Sequence, residues 1–279
     1  MTYRTIIKAN QSWLHIPWHE IWEYRDLLWN LVRRDLTAIY KQSILGPLWF
    51  IIAPLATTIV FTVVFGKVAK ISTDGLPPFL FYMSSMVLWN YFQGCMNGVS
   101  NSLISNAGVF GKVYFPRLIP PLSLIFSNLA QFVLNLIMFI GFYSYFLFFT
   151  SSQIQPSWWI LMLPVLIFHC AAVGMGIGLW LSALTVKYRD LRFALPFLAQ
   201  LWMYATPIVY PTSLVPEKWR WFLAINPMAG IIEFNRYSFL GVGTISRDIL
   251  LIGILSGIFL LITGLLIFNK VQRTFVDTI

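Results

Sequence analysis

Six stretches of this chain constrain its fold more than any other feature: Pro47 to Gly66, about Leu76 to Leu103, Leu118 to Phe149, Trp158 to Leu184, Phe193 to Tyr210 and Ile249 to Phe268 are each dominated by apolar residues. A helix needs ~20 such residues to cross a bilayer. In hydrocarbon, a helix is the one single-segment structure that satisfies its own backbone hydrogen bonds. The expected fold is therefore all-α and integral to a membrane, with six transmembrane helices. Charge agrees with this, because only 10% of the 279 residues are charged, against roughly 25% in soluble domains. No water-exposed surface could be covered with so little charge.

The net charge is +9. In a soluble protein that balance would point to nucleic acid, but in a membrane protein it points to basic loops beside anionic headgroups. Six spans with the amino terminus inside put thirteen Lys and Arg residues on the inner side and six on the outer. Both termini are therefore expected in the cytoplasm, with Lys67 and Lys70 running against the bias. The first 30 residues contain no apolar core or small-residue cleavage site, so the amino terminus is expected to be retained.

Before the first span, Ile21, Trp22, Leu28, Leu31, Val32, Leu36 and Ile39 recur at three- and four-residue spacing among charged residues. That pattern predicts an amphipathic helix lying in the membrane interface. It meets the first span at Gly46-Pro47, a joint in which proline occupies a helical first turn without losing a needed hydrogen bond. The second span is the most polar, with Asn90, Gln93, Asn97 and Asn101, amides that need partners inside a bundle. Between spans five and six, Pro211 to Gly243 is moderately apolar but interrupted by Pro216, Asn226-Pro227, Gly230, Gly241 and Gly243. Two short re-entrant helices or a folded external loop would each fit.

Residues with obvious chemistry are scarce. His169, alone in a span beside Cys170, is poor material for a metal site or a nucleophile and base pair. No GxSxG, HExxH or GxxxxGK[ST] pattern occurs, so the chain carries no P-loop for nucleotide phosphates. Glu233 and Arg236 sit three residues apart, where they could pair along a helix face or serve a proton relay. A membrane-embedded transferase of envelope synthesis and a proton-coupled flippase of lipid-linked oligosaccharide are the alternative classes to weigh.

The inner loops are short, basic and aromatic. Lys112-Val113-Tyr114-Phe115-Pro116-Arg117 and Lys187-Tyr188-Arg189-Asp190-Leu191 join Arg34-Asp35-Leu36, Tyr40-Lys41-Gln42-Ser43-Ile44-Leu45-Gly46-Pro47-Leu48-Trp49, Thr206-Pro207-Ile208-Val209-Tyr210-Pro211 and Asn226-Pro227-Met228 in one ordered series. Together these resemble the permease subunit of ABC-2 type polysaccharide exporters, the family that moves O-antigen, capsular polysaccharide or teichoic acid across the bacterial inner membrane. The likeness runs from about Leu27 to Phe275.

The resemblance implies an amino-terminal segment, residues 1–46, carrying the interface helix, and a six-span domain, residues 47–279. It implies a homodimer working with two copies of a separate ABC ATPase, which would bind the ATP and Mg that this chain does not. The cargo would be an undecaprenyl-pyrophosphate-linked polysaccharide, O-antigen first among them, with membrane lipids as surroundings and no nucleic acid. Coupling to the ATPase would fall to Arg33, Arg34, Asp35, Lys112, Val113, Tyr114, Phe115, Pro116, Arg117, Arg189 and Asp190. Tyr210, Asn226, Pro227, Glu233 and Arg236 would form an external gate. Sugar rings stack their C–H faces on aromatics while their hydroxyls seek polar groups. On that ground Trp49, Trp89, Asn90, Tyr91, Gln93, Asn97, Trp202 and Tyr204 are candidates for the substrate path.

Overall fold

A computed structural model describes residues 18–41, 45–110, 113–150, 154–188, 190–243 and 247–274. Among these residues the chain is helical, without strands. Helices α1 (Trp18–Glu23) and α2 (Arg25–Lys41) form one nearly continuous amphipathic rod. The Tyr24 N–H donates to the Glu20 carbonyl, and the Tyr24 carbonyl accepts from Leu28 N–H, so the helical path continues across the break. Leu28 and Val32, four residues apart, are buried against Phe115 and Ile119. On the same rod Trp18, Trp22 and Trp29 are each more than half exposed, as expected of a helix whose aromatic side meets a membrane interface.

Gly46 adopts φ 48°, a left-handed conformation that favours glycine, and opens a short 3-10 turn, Gly46–Leu48. The chain turns there into α3 (Trp49–Phe61), which continues as a π-helical segment, Thr62–Val68. Inside α3, Pro54 supplies no backbone donor. The Thr57 and Thr58 hydroxyls donate to the Ala53 and Pro54 carbonyls at 3.0 and 2.8 Å.

Helix α4 (Pro78–Ser105) is the centre of the molecule. It is buried along most of its length and packs against α3, α6 (Ile119–Phe149), α7 (Leu163–Lys187), α8 (Leu191–Ala205) and α10 (Ala229–Leu240). Glycines set the closest approaches. A Cβ at Gly174 or Gly178 would come within 2.8 Å of Cys95 or 2.6 Å of Val99 on α4. These glycines, four apart, share one face of α7. Gly176 looks the other way, where a Cβ would lie 2.6 Å from the Leu260 backbone of α11 (Arg247–Thr274). Without side chains at these points the three helices pack backbone to backbone, the usual solution where lipid is as apolar as leucine.

Among the described residues, four helical stretches are long and apolar enough to cross a membrane: Gly46–Val68, Ile119–Phe149, Trp158–Lys187 and Arg247–Gln272. The two other expected spans differ for identifiable reasons. Helix α4 has 28 residues, yet its amides lower its hydropathy. Helix α8 has only 15, about 22 Å of rise at 1.5 Å per residue. Residues 211–243 do contain two short helices, α9 (Glu217–Ile225) and α10, and α10 is closed by Gly241 at φ 74°. A short four-residue helix, α5 (Ala107–Phe110), follows α4.

Gly176→Val should wedge α7 from α11 and destabilise the protein by about 1–3 kcal/mol. Gly141→Val is the control, because a Cβ there meets nothing within 4 Å. Thermal unfolding in detergent should show a lower midpoint for the first variant and an unchanged one for the second.

Candidate functional site

A cleft of about 320 Å³ lies between α3, α4 and α6. Helix α4 contributes Asn90, Tyr91, Gln93, Gly94 and Asn97, and α6 contributes Asn128, Gln131, Phe132 and Asn135. Both sets recur at three- and four-residue spacing, which places them on one face of each helix. Trp49, Ala53, Pro54 and Thr57, four apart or nearly so, complete the wall from α3. Six carboxamides thus face one space, and no lining residue is acidic or basic.

The geometry explains how these amides tolerate their setting. Asn128 Nδ2 donates to the Leu124 carbonyl at 2.7 Å, and its side chain fills the space beside Gly94, where a Cβ would be 3.1 Å from Asn128 Cγ. Among the described residues the side chains of Asn90, Gln93, Asn97 and Gln131 have no hydrogen-bond partner, and all four are half-buried beside the cleft. Asn135 is only 3% exposed, and its Oδ1 accepts no hydrogen bond. Amides in an apolar bundle are costly unless something satisfies them. Water or a polar ligand in the cleft would do so. Asn128 and Asn135 lie roughly 13 and 24 Å along α6 from its first turn, at 1.5 Å per residue.

Of the residues expected along a substrate path, Trp49, Asn90, Tyr91, Gln93 and Asn97 meet at this cleft. Trp89 and Trp202 sit elsewhere. Trp89 is fully buried, its ring 5.1 Å from Phe92 and 6.2 Å from Trp202. Tyr204, partly exposed on α8, faces Phe65 at 6.5 Å. The residues that sequence reasoning passed over are Asn128, Gln131 and Asn135. Their signal was present, since Asn-Gln-Asn at positions 128, 131 and 135 repeats the spacing of 90, 93 and 97.

A second cluster gathers the residues expected at an external gate. Asn226 Oδ1 accepts from Trp202 Nε1 at 3.2 Å and from the Met228 N–H at 3.1 Å, while its Nδ2 donates to Thr206 Oγ1 at 2.9 Å. The end of α8 is thereby tied to the start of α10. Tyr210 Oη donates to the Ala205 carbonyl at 3.2 Å. The Asn226–Pro227 turn packs against Gly253 of α11, where a Cβ would lie 3.7 Å from the Pro227 carbonyl. Arg236, 3% exposed, stacks over Phe81 at 3.7 Å and donates to Ser85 Oγ and the Pro207 carbonyl at 2.8 and 2.6 Å. The buried Glu233 carboxylate accepts from the Thr212 hydroxyl. Asp74, on the loop after α3, accepts from Ser213 Oγ at 3.0 Å. One buried guanidinium and two carboxylates therefore cross-brace α4, α10 and the 206–213 turn.

The third cluster joins the α1–α2 rod to the segment between α5 and α6. Tyr24 Oη donates to the Tyr114 carbonyl, and Tyr114 Oη donates to the Glu20 carboxylate, both at 3.4 Å. Burial, and then the Glu20 carboxylate, raise the Tyr114 phenol above its ordinary value, so it stays a neutral donor. Phe115 is buried with Leu28, Val32 and Ile119, and its ring lies 5.3 Å from Phe110, which Arg117 caps at 6.0 Å. Burial lowers the Arg117 value from its ordinary one. Val113 and Tyr114 remain more than half exposed. Arg34 pairs with Asp35 at 2.8 Å, Arg33 and Asp190 are exposed, and Pro116 is buried. Lys112 and Arg189 lie outside the described residues.

Comparison with known proteins supplies the context for these three clusters. Residues 26–240 match the ABC-2 type transporter family. The chain is 29% identical over 252 residues to the O-antigen export system permease protein RfbA of Klebsiella pneumoniae, covering 90% of this chain and 94% of that protein. It is 30% identical over 215 residues to the protein of the same name from Myxococcus xanthus, covering 76% and 80%. A more distant relative, 22% identical over 74% of this chain and 78% of its own length, is the polysialic acid transport protein KpsM of Escherichia coli.

Arg236→Met removes the buried guanidinium's bonds to Ser85 and Pro207 and its stacking on Phe81 and should cost about 3 kcal/mol or more. Combining it with Glu233→Gln should cost less than the sum of the two single changes. A double-mutant cycle on the thermal midpoint of the purified protein measures that difference, and strict additivity would show that the two residues do not act together.

Proposed function

The chain belongs to the ABC-2 type transporter family, and on that footing we propose that it is the membrane subunit of an ATP-driven exporter of cell-surface polysaccharide, O-antigen or a related lipid-linked glycan. The observation that carries the reading is the six-amide cleft between α3, α4 and α6. A path for a hydroxyl-rich polymer through hydrocarbon needs such a surface, and a purely structural bundle has no use for amides left without partners. O-antigen export, named for the relatives at 29 and 30% identity, supports a polysaccharide cargo, and the more distant polysialic acid transporter carries a polysaccharide of different charge.

In this reading α3, α4, α6, α7, α8 and α11 are the six spans, both termini face the cytoplasm of a bacterial inner membrane, and α9 and α10 enter the outer side and return. The α1–α2 rod lies on the inner leaflet. Two copies of the chain enclose the path, and the apolar faces of α3 (Ile52, Ile59, Val60) and α8 (Phe193, Phe197, Leu201), exposed in the single chain, meet lipid or the second copy. Two ATPase subunits bind ATP and Mg and grip the loop at 113–117. Their movement reaches the α1–α2 rod through Tyr24, Tyr114 and the buried Phe115, and the Gly46-Pro47 joint passes it to α3. The cross-braced cluster at Arg236 closes the outer end between export events. The lipid carrier's pyrophosphate is drawn to basic residues at the membrane surface, by simple charge attraction.

The hydroxyl partner of Glu233 argues against a proton-coupled mechanism centred on it, because that carboxylate is already held by Thr212. The glycine joint is a discriminating place to test coupling: Gly46→Leu should lower export without loss of the protein from the membrane. Docking is tested at an exposed residue whose side chain takes no part in the bonds to the α1–α2 rod. Val113→Asp should reduce co-purification of the ATPase, and export of surface polysaccharide with it, by about tenfold or more, equivalent to ~1.4 kcal/mol of binding. Undiminished co-purification and export would place the docking surface elsewhere.

A further inference from the structure

We infer that the cleft between α3, α4 and α6 is a glycan-binding site that takes a polyhydroxyl chain of uncharged sugar units and discriminates against one whose sugar units carry carboxylates or phosphates. The inference rests on the exporter reading above and adds the chemical class of the cargo at that site.

Each carboxamide offers two N–H donors and a carbonyl acceptor, which matches a sugar hydroxyl's ability to do both. Asn135 points to a ligand most directly: it is 3% exposed, lines the cleft, and its Oδ1 is left without a donor. Asn90, Gln93 and Gln131 present further unpartnered amides across the same space. The rings of Trp49 and Tyr91 border it, providing faces for sugar C–H groups. The volume of about 320 Å³ is at the low end of the ~300–1,000 Å³ typical of small-molecule sites, room for a short stretch of chain at a time.

The discrimination follows from what the lining lacks. A site for an anion in a low-dielectric bundle needs Lys or Arg, most effectively Arg in a planar fork. The cleft lining contains neither. Arg236 is committed elsewhere, bonded to Ser85 and Pro207 and stacked on Phe81. A carboxylate entering the cleft would leave water for carboxamides that solvate it only in part. A lipid tail would leave the amides unsatisfied. A neutral glycan satisfies them and brings no charge.

The test uses the complete complex of this chain with its ATPase in lipid nanodiscs and two fluorescent probes, neutral mannohexaose and anionic hexagalacturonate. Mannohexaose should bind at least about tenfold more tightly. Asn135→Leu with Gln93→Leu should weaken its binding about tenfold or more. Gln131→Lys, with folding checked by the thermal midpoint, should narrow the preference by a similar factor through a gain for hexagalacturonate. Equal binding of the two probes, binding of neither, or a ratio unmoved by Gln131→Lys overturns the inference. ATP-dependent export of the cell's own polymer is followed in parallel. If unsubstituted protein supports no such export, the exporter reading fails, whereas export that persists without any probe preference removes only the assignment of cargo chemistry.

Discussion

An amide in hydrocarbon has to be satisfied by something, and the structure is arranged around where its amides go. Most of the polar groups of α4 and α6 are absorbed locally: Ser84, Ser85, Ser100, Ser102, Ser123 and Ser127 return their hydroxyls to carbonyls one turn back. The carboxamides at 90, 93, 97 and 131 make no such bond and the Asn135 Oδ1 accepts none, and these side chains collect on the facing sides of α4 and α6. Helix α3 closes the third side with Trp49, Ala53, Pro54 and Thr57 instead of leucines. The result is a polar cleft between three helices of an otherwise apolar bundle.

Because α4 carries that face, what holds α4 also holds the cleft. Gly174 and Gly178 let α7 approach α4 until side chain meets backbone, fixing the far side of the helix. At one end, Ser85 of α4 receives the Arg236 guanidinium and the Ser84 carbonyl accepts from Asn235, so α10 is fastened to the same helix. At the other end, Leu103 packs with Leu118, Leu179 and Phe268, and Phe110 lies against that group. The segment that follows carries Tyr114 and Phe115 onto the α1–α2 rod. The cleft and the Arg236 brace therefore both lie on α4, whose other end leads towards residues 113–117, so a displacement there has a short route to both. In the exporter reading this is how hydrolysis outside the bilayer would be felt within it.

Much of this was legible in the residues alone, and the exceptions have physical causes. The apolar runs and the amphipathic 18–41 segment follow from periodicity, and the four most apolar spans were plain for that reason. The Asn90, Gln93 and Asn97 face was visible because amides stand out in an apolar helix. Its partner on α6 was just as visible in composition but was submerged in a 31-residue helix whose other residues are overwhelmingly apolar. Trp89 and Trp202 lie apart from the cleft: helical geometry turns position 89 about 100° away from position 90, into the core beside Trp202. The Asn226–Thr206 and Arg236–Pro207 bonds join residues 20 and 29 apart in sequence. Nothing in local periodicity signals such pairs; only the ordered motif pattern hinted that those turns belong together.

The central claim is that a glycan passes along the amide cleft. The most direct measurement replaces Gln131 with a photo-crosslinking amino acid in cells exporting their own polysaccharide and identifies what the activated side chain captures. The account predicts an adduct carrying polysaccharide, more abundant when the ATPase is rendered unable to hydrolyse ATP and the chain stalls in transit. Capture of phospholipid or of a second copy of the chain alone, with polysaccharide absent in both conditions, would contradict it.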